Sequence, residues 1–98
     1  MTCRVVNRYK EDYDVYIGRG SMWGNPHKDM PRAQAIELFR VHFKEQLRNG
    51  SITLSDLRKL NGLRLGCSCH PKPCHGDIIA LAVNKLCGVK LNNLDFLQ

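Results

Sequence analysis

No run in this 98-residue chain approaches the ~20 consecutive apolar residues of a membrane helix, so a membrane role is not expected. Met1-Thr2-Cys3-Arg4 opens no secretory leader, and a cytoplasmic location is the expectation. Internal repeats, low-complexity segments and linkers are absent too, and the length suffices for one modest core and not for two. A single domain over residues 1–98 follows, and with 43% hydrophobic and 24% charged residues it should be globular rather than disordered. Acidic residues are scarce: nine Asp and Glu stand against fifteen Lys and Arg, a formal charge of +6. Such an excess either suits an anionic partner, such as a nucleotide, a nucleic acid or an acidic protein, or merely keeps the protein in solution. The five cysteines are an odd number, which excludes complete intramolecular pairing. In a cytosolic chain, clustered cysteines point to metal ligation or thiol chemistry before disulfides.

Read in order, the chain predicts a small α/β domain of three or four short strands, at least partly parallel, with about three helices. Thr2–Asn7 is short and β-branched and reads as a strand, with Cys3 a small buried hydrophobe. A charged connection leads to Asp14–Ile17, where Val15 and Ile17 share one face of a second strand. Gly18–His27 breaks all periodicity with three glycines and a proline and must be a loop. No Gly-Lys-Ser/Thr follows it, which excludes a P-loop, and the dinucleotide glycine pattern is missing. Asp29 near the cap and Pro31 in the first turn start a helix in which Ile36, Phe39, Phe43 and Leu47 recur at helical spacing, and Asn49-Gly50 stops it. Its Arg32, Arg40, Lys44 and Arg48 read as a solvated face or a nucleic-acid surface. Leu54, Leu57 and Leu60 give a short second helix behind a capping Thr53 or Ser55, so the second strand and the one at Leu63–Cys67 are joined by a helical crossover and should run parallel. A last, largely apolar helix runs from Gly76 to a capping Gly88, with Cys87 as packing, and Val89–Gln98 is either an edge strand or a strap.

The chemistry is concentrated in Cys67-Ser68-Cys69-His70-Pro71-Lys72-Pro73-Cys74-His75-Gly76-Asp77, where a strand ends and a helix begins. Alternation places Leu65, Cys67 and Cys69 on one face of an extended segment. Cys67, Cys69, Cys74 and His75 then make a Cys3His set chemically suited to zinc, although its spacing is not that of paired Cys-x-x-Cys knuckles. A metal-free alternative puts Cys74 at a helix N-terminus, where the dipole and His75 favour a thiolate nucleophile or redox group, with His70, His75 or Asp77 as acid/base partner. That layout resembles rhodanese-like and tyrosine-phosphatase-like loops, but no Arg lies at the offset the phosphatase loop requires. A purely structural alternative has the cysteines as strand-end hydrophobes and Asp77 as a helix cap. In the earlier loop, Arg19 and Ser21 offer donors to an anion, while Trp23 and Asn25 either grip a ring or serve the fold.

Taken together, Val15-Tyr16-Ile17-Gly18-Arg19-Gly20-Ser21-Met22-Trp23-Gly24-Asn25-Pro26 and Leu65-Gly66-Cys67-Ser68-Cys69-His70-Pro71-Lys72-Pro73-Cys74-His75-Gly76-Asp77 resemble the small bacterial and phage family known as domain of unknown function 4326. His27 stands where that family usually has an aromatic residue, and Ser68 where Trp is frequent, which alters the pocket walls. The resemblance implies a common fold, one site built from both motifs, and a phage or mobile-element origin that would place the chain in a host cytoplasm. The expected pocket uses Arg19, Ser21, Trp23, Asn25 and Lys72 to hold an anionic ligand such as a nucleotide or modified base. Cys74, His75 and Asp77 form its reactive cluster. The competing expectation is a non-enzymatic accessory protein, braced by zinc, that binds a host protein or nucleic acid through its basic surface.

Overall fold

Arg64–Cys67, the strand β3, lies at the centre of a three-stranded parallel sheet in the computed structural model, which describes residues 3–27 and 30–89. β1 (Arg4–Asn7) pairs along one side of it, with Val5 opposite Leu65 and Asn7 opposite Cys67. β2 (Val15–Tyr16) pairs along the other, with Val15 opposite Leu65. The second strand is shorter than its sequence pattern, but the hydrogen bonds from Asp14 N–H to the Arg64 carbonyl and from Ile17 N–H to the Gly66 carbonyl extend the ladder past both its ends.

Alternation along β3 explains the layers. Leu65 and Cys67 point into the core, whereas Gly66 faces the opposite side of the sheet. There the Tyr13 ring lies so close that a Cβ on Gly66 would sit 2.6 Å from it. The cause is topological: β1 and β2 run the same way on opposite sides of β3, so residues 8–14 must cross β3 over one face. Asp14 anchors the far end of this crossing. Its carboxylate accepts the Arg64 backbone N–H at 2.8 Å and two guanidinium bonds at 3.1 Å.

The helices follow the hydrophobic spacing. α1 (Arg32–Asn49) buries Phe39, Phe43 and Leu47 and ends at Gly50, whose φ of 88° is the left-handed cap a glycine adopts without strain. The cap expected at Asp29 lies outside the described residues. α2 (Leu54–Arg58) carries a reciprocal cap: Thr53 Oγ1 accepts the Asp56 N–H, and the Asp56 carboxylate accepts the Thr53 N–H. α3 (His75–Val89) packs on β1, β3, α1 and α2 and buries Ile79, Ala82, Val83 and Leu86. It does not stop at Gly88, as its sequence led one to expect; Gly88 is helical and lacks the positive φ of Gly20, Gly50 and Gly62. A glycine allows a left-handed cap without compelling one.

The Asn84 side chain ties α3 to the start of β1, accepting the Cys3 N–H at 2.7 Å and donating to the Cys3 carbonyl at 2.8 Å. Cys3 is buried and Cys87 packs against the core, as expected of both. No helix among the described residues is long and apolar enough to cross a membrane. The expected tail element lies outside the described residues.

Candidate functional site

Because all three strands are parallel, their C-terminal ends deliver three segments to one sheet edge: Arg8 onward after β1, the Ile17–Pro26 loop after β2, and Ser68–Cys74 after β3. The loop after β2 folds into successive turns. Ser21 N–H and Oγ both bond the Gly18 carbonyl, Gly24 N–H bonds the Ser21 carbonyl, and Ser21 Oγ accepts the Trp23 N–H at 3.3 Å. Gly24 is required by this closure, since a Cβ there would lie 2.7 Å from the Gly18 oxygen. The indole of Trp23 is only 6% exposed and belongs to the core, the second of the two roles open to it. Asn25 holds the loop to α1, donating to the Ala35 carbonyl at 3.1 Å while its oxygen accepts the His27 N–H at 2.9 Å.

The segment after β3 is pinned to β1. Asn7 Nδ2 donates to the His70 carbonyl at 2.8 Å, Arg8 N–H donates to the Cys67 carbonyl at 2.9 Å, and Lys72 N–H closes on the Cys69 carbonyl at 2.8 Å. Cys74 then precedes α3, and its N–H donates to Asp77 Oδ2 at 3.1 Å. Asp77 is thus a helix cap, the carboxylate answering an N–H that the first turn leaves unpaired.

His75 joins the two motifs. Its Nε2 lies 2.7 Å from the Ile17 carbonyl, and because a carbonyl only accepts, Nε2 carries the hydrogen and a neutral ring keeps its lone pair on Nδ1. The ring packs edge-on against Phe39, centroids 5.0 Å apart. Next to it, Gly76 allows α3 to approach the sheet: a Cβ would meet Ile17 Cδ1 at 2.5 Å and Val5 Cγ2 at 3.1 Å.

Cys67 and Cys74, both free and buried, bring their sulfurs to 3.3 Å. At this distance one thiol can donate to the other, and the surroundings favour the anion on Cys67. There the Cys74 thiol donates to it, the His70 and Cys69 backbone N–H groups point at it, and His75 lies near enough to favour an anion, so its pKa falls well below the usual thiol range. The Cys74 thiol is pushed up, first because it donates to Cys67 and then because it is buried. The thiolate that the helix dipole would favour at Cys74 is opposed there by the bond to Cys67 and by burial.

A cleft of about 420 Å³ opens between the motifs, lined by Arg19 and Asn25 from the first, Cys69, Pro73, Cys74 and His75 from the second, and Arg32 from the start of α1. Among the described residues, neither Arg19 nor Arg32 has a hydrogen-bond or ion-pair partner. Ser21 lines a neighbouring cavity of about 480 Å³ together with Arg19, Asn25, His42 and Gln46. Lys72 is exposed and lines neither cavity.

Residues 3–85 match the family described as Domain of unknown function (DUF4326). The chain belongs to the DUF4326 family. It is 57% identical over 86 residues to an "Uncharacterized 12.4 kDa protein in nrdA-td intergenic region" of Enterobacteria phage T4, a match covering 86% of this chain and 80% of that relative. No solved structure matches this DUF4326 chain.

No group of three or more His, Cys, Asp or Glu side chains among the described residues is placed to hold a metal ion. Of the expected zinc set, Cys67, Cys69, Cys74 and His75, the structure brings the Cys67 and Cys74 sulfurs together at 3.3 Å, while Cys69 sits half-buried against the core. Of the other expected residues, Arg19, Asn25, Cys74 and His75 share one cleft, while Trp23 and Asp77 take structural places. Arg32 was read with Arg40, Lys44 and Arg48 as a solvated face or a nucleic-acid surface, and not as part of the pocket. Its signal was position, since a helix starting directly after the glycine loop must bring its first turn to the same edge. Arg8 was read as part of a charged connection; its guanidinium lies over the Tyr9 and Tyr16 rings, 4.6 and 5.0 Å from their centroids.

Proposed function

We propose that this protein binds a small phosphate-bearing ligand, a nucleotide or a nucleotide with a modified base, in the cleft between its two motifs, and presents the Cys74 thiol and His75 to it. The observation that carries this reading is the convergence of Arg19 and Arg32, neither of them paired among the described residues, with Cys74 and His75 on the walls of one cleft. Its volume of about 420 Å³ falls in the range of small-molecule sites, roughly 300–1,000 Å³. Planar guanidinium forks match phosphate oxygens two at a time, and having no partner among the described residues these two need break no bond there to meet a ligand.

Calorimetric titration with nucleoside monophosphates, nucleoside diphosphates and inorganic pyrophosphate tests the reading. Arg19→Ala and Arg32→Ala should each weaken binding by about 10-fold or more, the worth of one charge-assisted hydrogen bond. Both side chains are exposed, so the variants should melt like the parent. Affinities unchanged in the double variant, or no heat with any probe at millimolar concentration, would sink the cleft assignment. Binding to duplex DNA that survives both substitutions would instead favour an accessory protein acting through its basic surface.

A further inference from the structure

We propose that Cys67 and Cys74 form a two-electron redox site that reduces a hydroperoxide and closes as a reversible disulfide, independently of what the cleft binds. The Sγ atoms stand 3.3 Å apart, and a disulfide requires roughly 2.05 Å, so closure needs a sulfur shift of about 1.3 Å. The two residues belong to separate elements, Cys67 ending β3 and Cys74 preceding α3, and the intervening loop is already fixed by the Asn7, Arg8 and Lys72 hydrogen bonds. The pair is therefore held together before any oxidant arrives. Cys74 also lines the 420 Å³ cleft, which gives a small peroxide a path to an otherwise buried sulfur. On the other side of Cys74, Gly76 carries no side chain, and a Cβ there would crowd the sulfur at 3.3 Å.

The chemistry balances with hydroperoxide as the named oxidant. The reacting form is the monoanion, with one proton between the two sulfurs. As that proton passes to Cys67, the Cys74 sulfur attacks the terminal oxygen of ROOH, the O–O bond breaks, and RO⁻ leaves with the electron pair and takes a proton from solvent. Cys67 then attacks the resulting Cys74 sulfenic acid, the S–O bond breaks, and the departing hydroxide carries away the Cys67 proton as water. In sum, the monoanionic pair, ROOH and one proton give the disulfide, ROH and water.

The test treats the fully reduced 98-residue chain with one equivalent of hydrogen peroxide, quenches free thiols, and reads intact mass and thiol count. The expected result is a loss of two hydrogen masses, a fall in titratable thiols from five to three, and full reversal by dithiothreitol. Cys87→Ser should behave as the parent, while Cys67→Ala and Cys74→Ala lose the mass change. Should either alanine variant fail to fold, fragment-ion spectra of the oxidised parent still locate the bond. A bond through Cys69, a gain of oxygen on a single cysteine without closure, or five thiols remaining under excess peroxide would each overturn the proposal.

Discussion

Gly66 is the residue at which one methyl group should matter most. Replacing glycine by alanine in a strand normally gains about 0.5–1 kcal/mol by restricting the unfolded chain. Here the new Cβ meets Tyr13 Cγ at 2.6 Å, an atom too near its own backbone to swing clear, so overpacking of about 1–3 kcal/mol should win. Gly66→Ala is expected to lower the urea midpoint, and Tyr13→Ala added to it should recover most of the loss; two purely additive penalties would refute the contact. Cys3 gives a second residue-level expectation. Burial, with the nearby Cys87 adding to it, raises its pKa from 9.0 to about 11, so the folded state favours the neutral thiol. That stability is complete below the unfolded value and is lost as pH rises through about 11, on the order of 1–2 kcal/mol in all. Unfolding free energies followed from about pH 8 upward should fall less steeply in Cys3→Ala than in the parent. Residue types revealed where chemistry gathers, but not where side chains point. Trp23, Ser21, Asn25 and Asp77 carry the polar or aromatic groups a ligand would want, yet the loop and helix ends use those groups first, because backbone N–H and carbonyl groups at turns must be answered locally.

At the level of elements, α2 is the least self-sufficient helix, five residues held by its cap and by buried Leu57. Thr53→Ala removes the acceptor for the Asp56 N–H and should cost about 1 kcal/mol, visible as a lower melting temperature, whereas Thr53→Ser should be nearly silent. Equal destabilisation by both would assign the effect to the lost methyl group rather than to the cap. The helices were legible because apolar spacing is a property of sequence alone: Phe39, Phe43 and Leu47 mark α1 and Leu57 marks α2. Their ends were legible only where local chemistry is decisive. Gly50 adopts the left-handed cap, but Gly88 at an equally plausible stop remains helical. The link between the two motifs was not legible in its detail, since the bond from His75 Nε2 to Ile17 spans 58 positions and leaves no local trace.

For the molecule as a whole, the charge of +6 offers two ways to attract an anion, and salt separates them. A ligand held by Arg19 and Arg32 in the cleft releases few counterions, so mononucleotide affinity should decline gently with added salt. Binding spread over a basic face making six or more phosphate contacts would fall by ~10³ or more between 50 and 200 mM. A plot of log affinity against log salt for a mononucleotide and for duplex DNA tells the two apart, and a steep slope for the mononucleotide would contradict the cleft. The α/β class and the parallel pairing of β2 and β3 could be read from sequence, because the helical crossover between them dictates direction. The strand order could not, since nothing local indicates that the short segment from Arg8 to Asp14 passes over a strand lying some fifty residues ahead.

That crossing has a consequence for how the chain is made. The strand that touches both others is the last to emerge from a ribosome, and β1 and β2 are neighbours in sequence that never pair with each other. Until Arg64–Cys67 is available, the N-terminal half has no sheet to form, and its apolar strands must wait beside a nascent α1. Loop closure over this distance should be the slow event, so the moment β3 slots between its partners should be the moment the domain, and with it the whole sheet edge bearing the cysteines, comes into being.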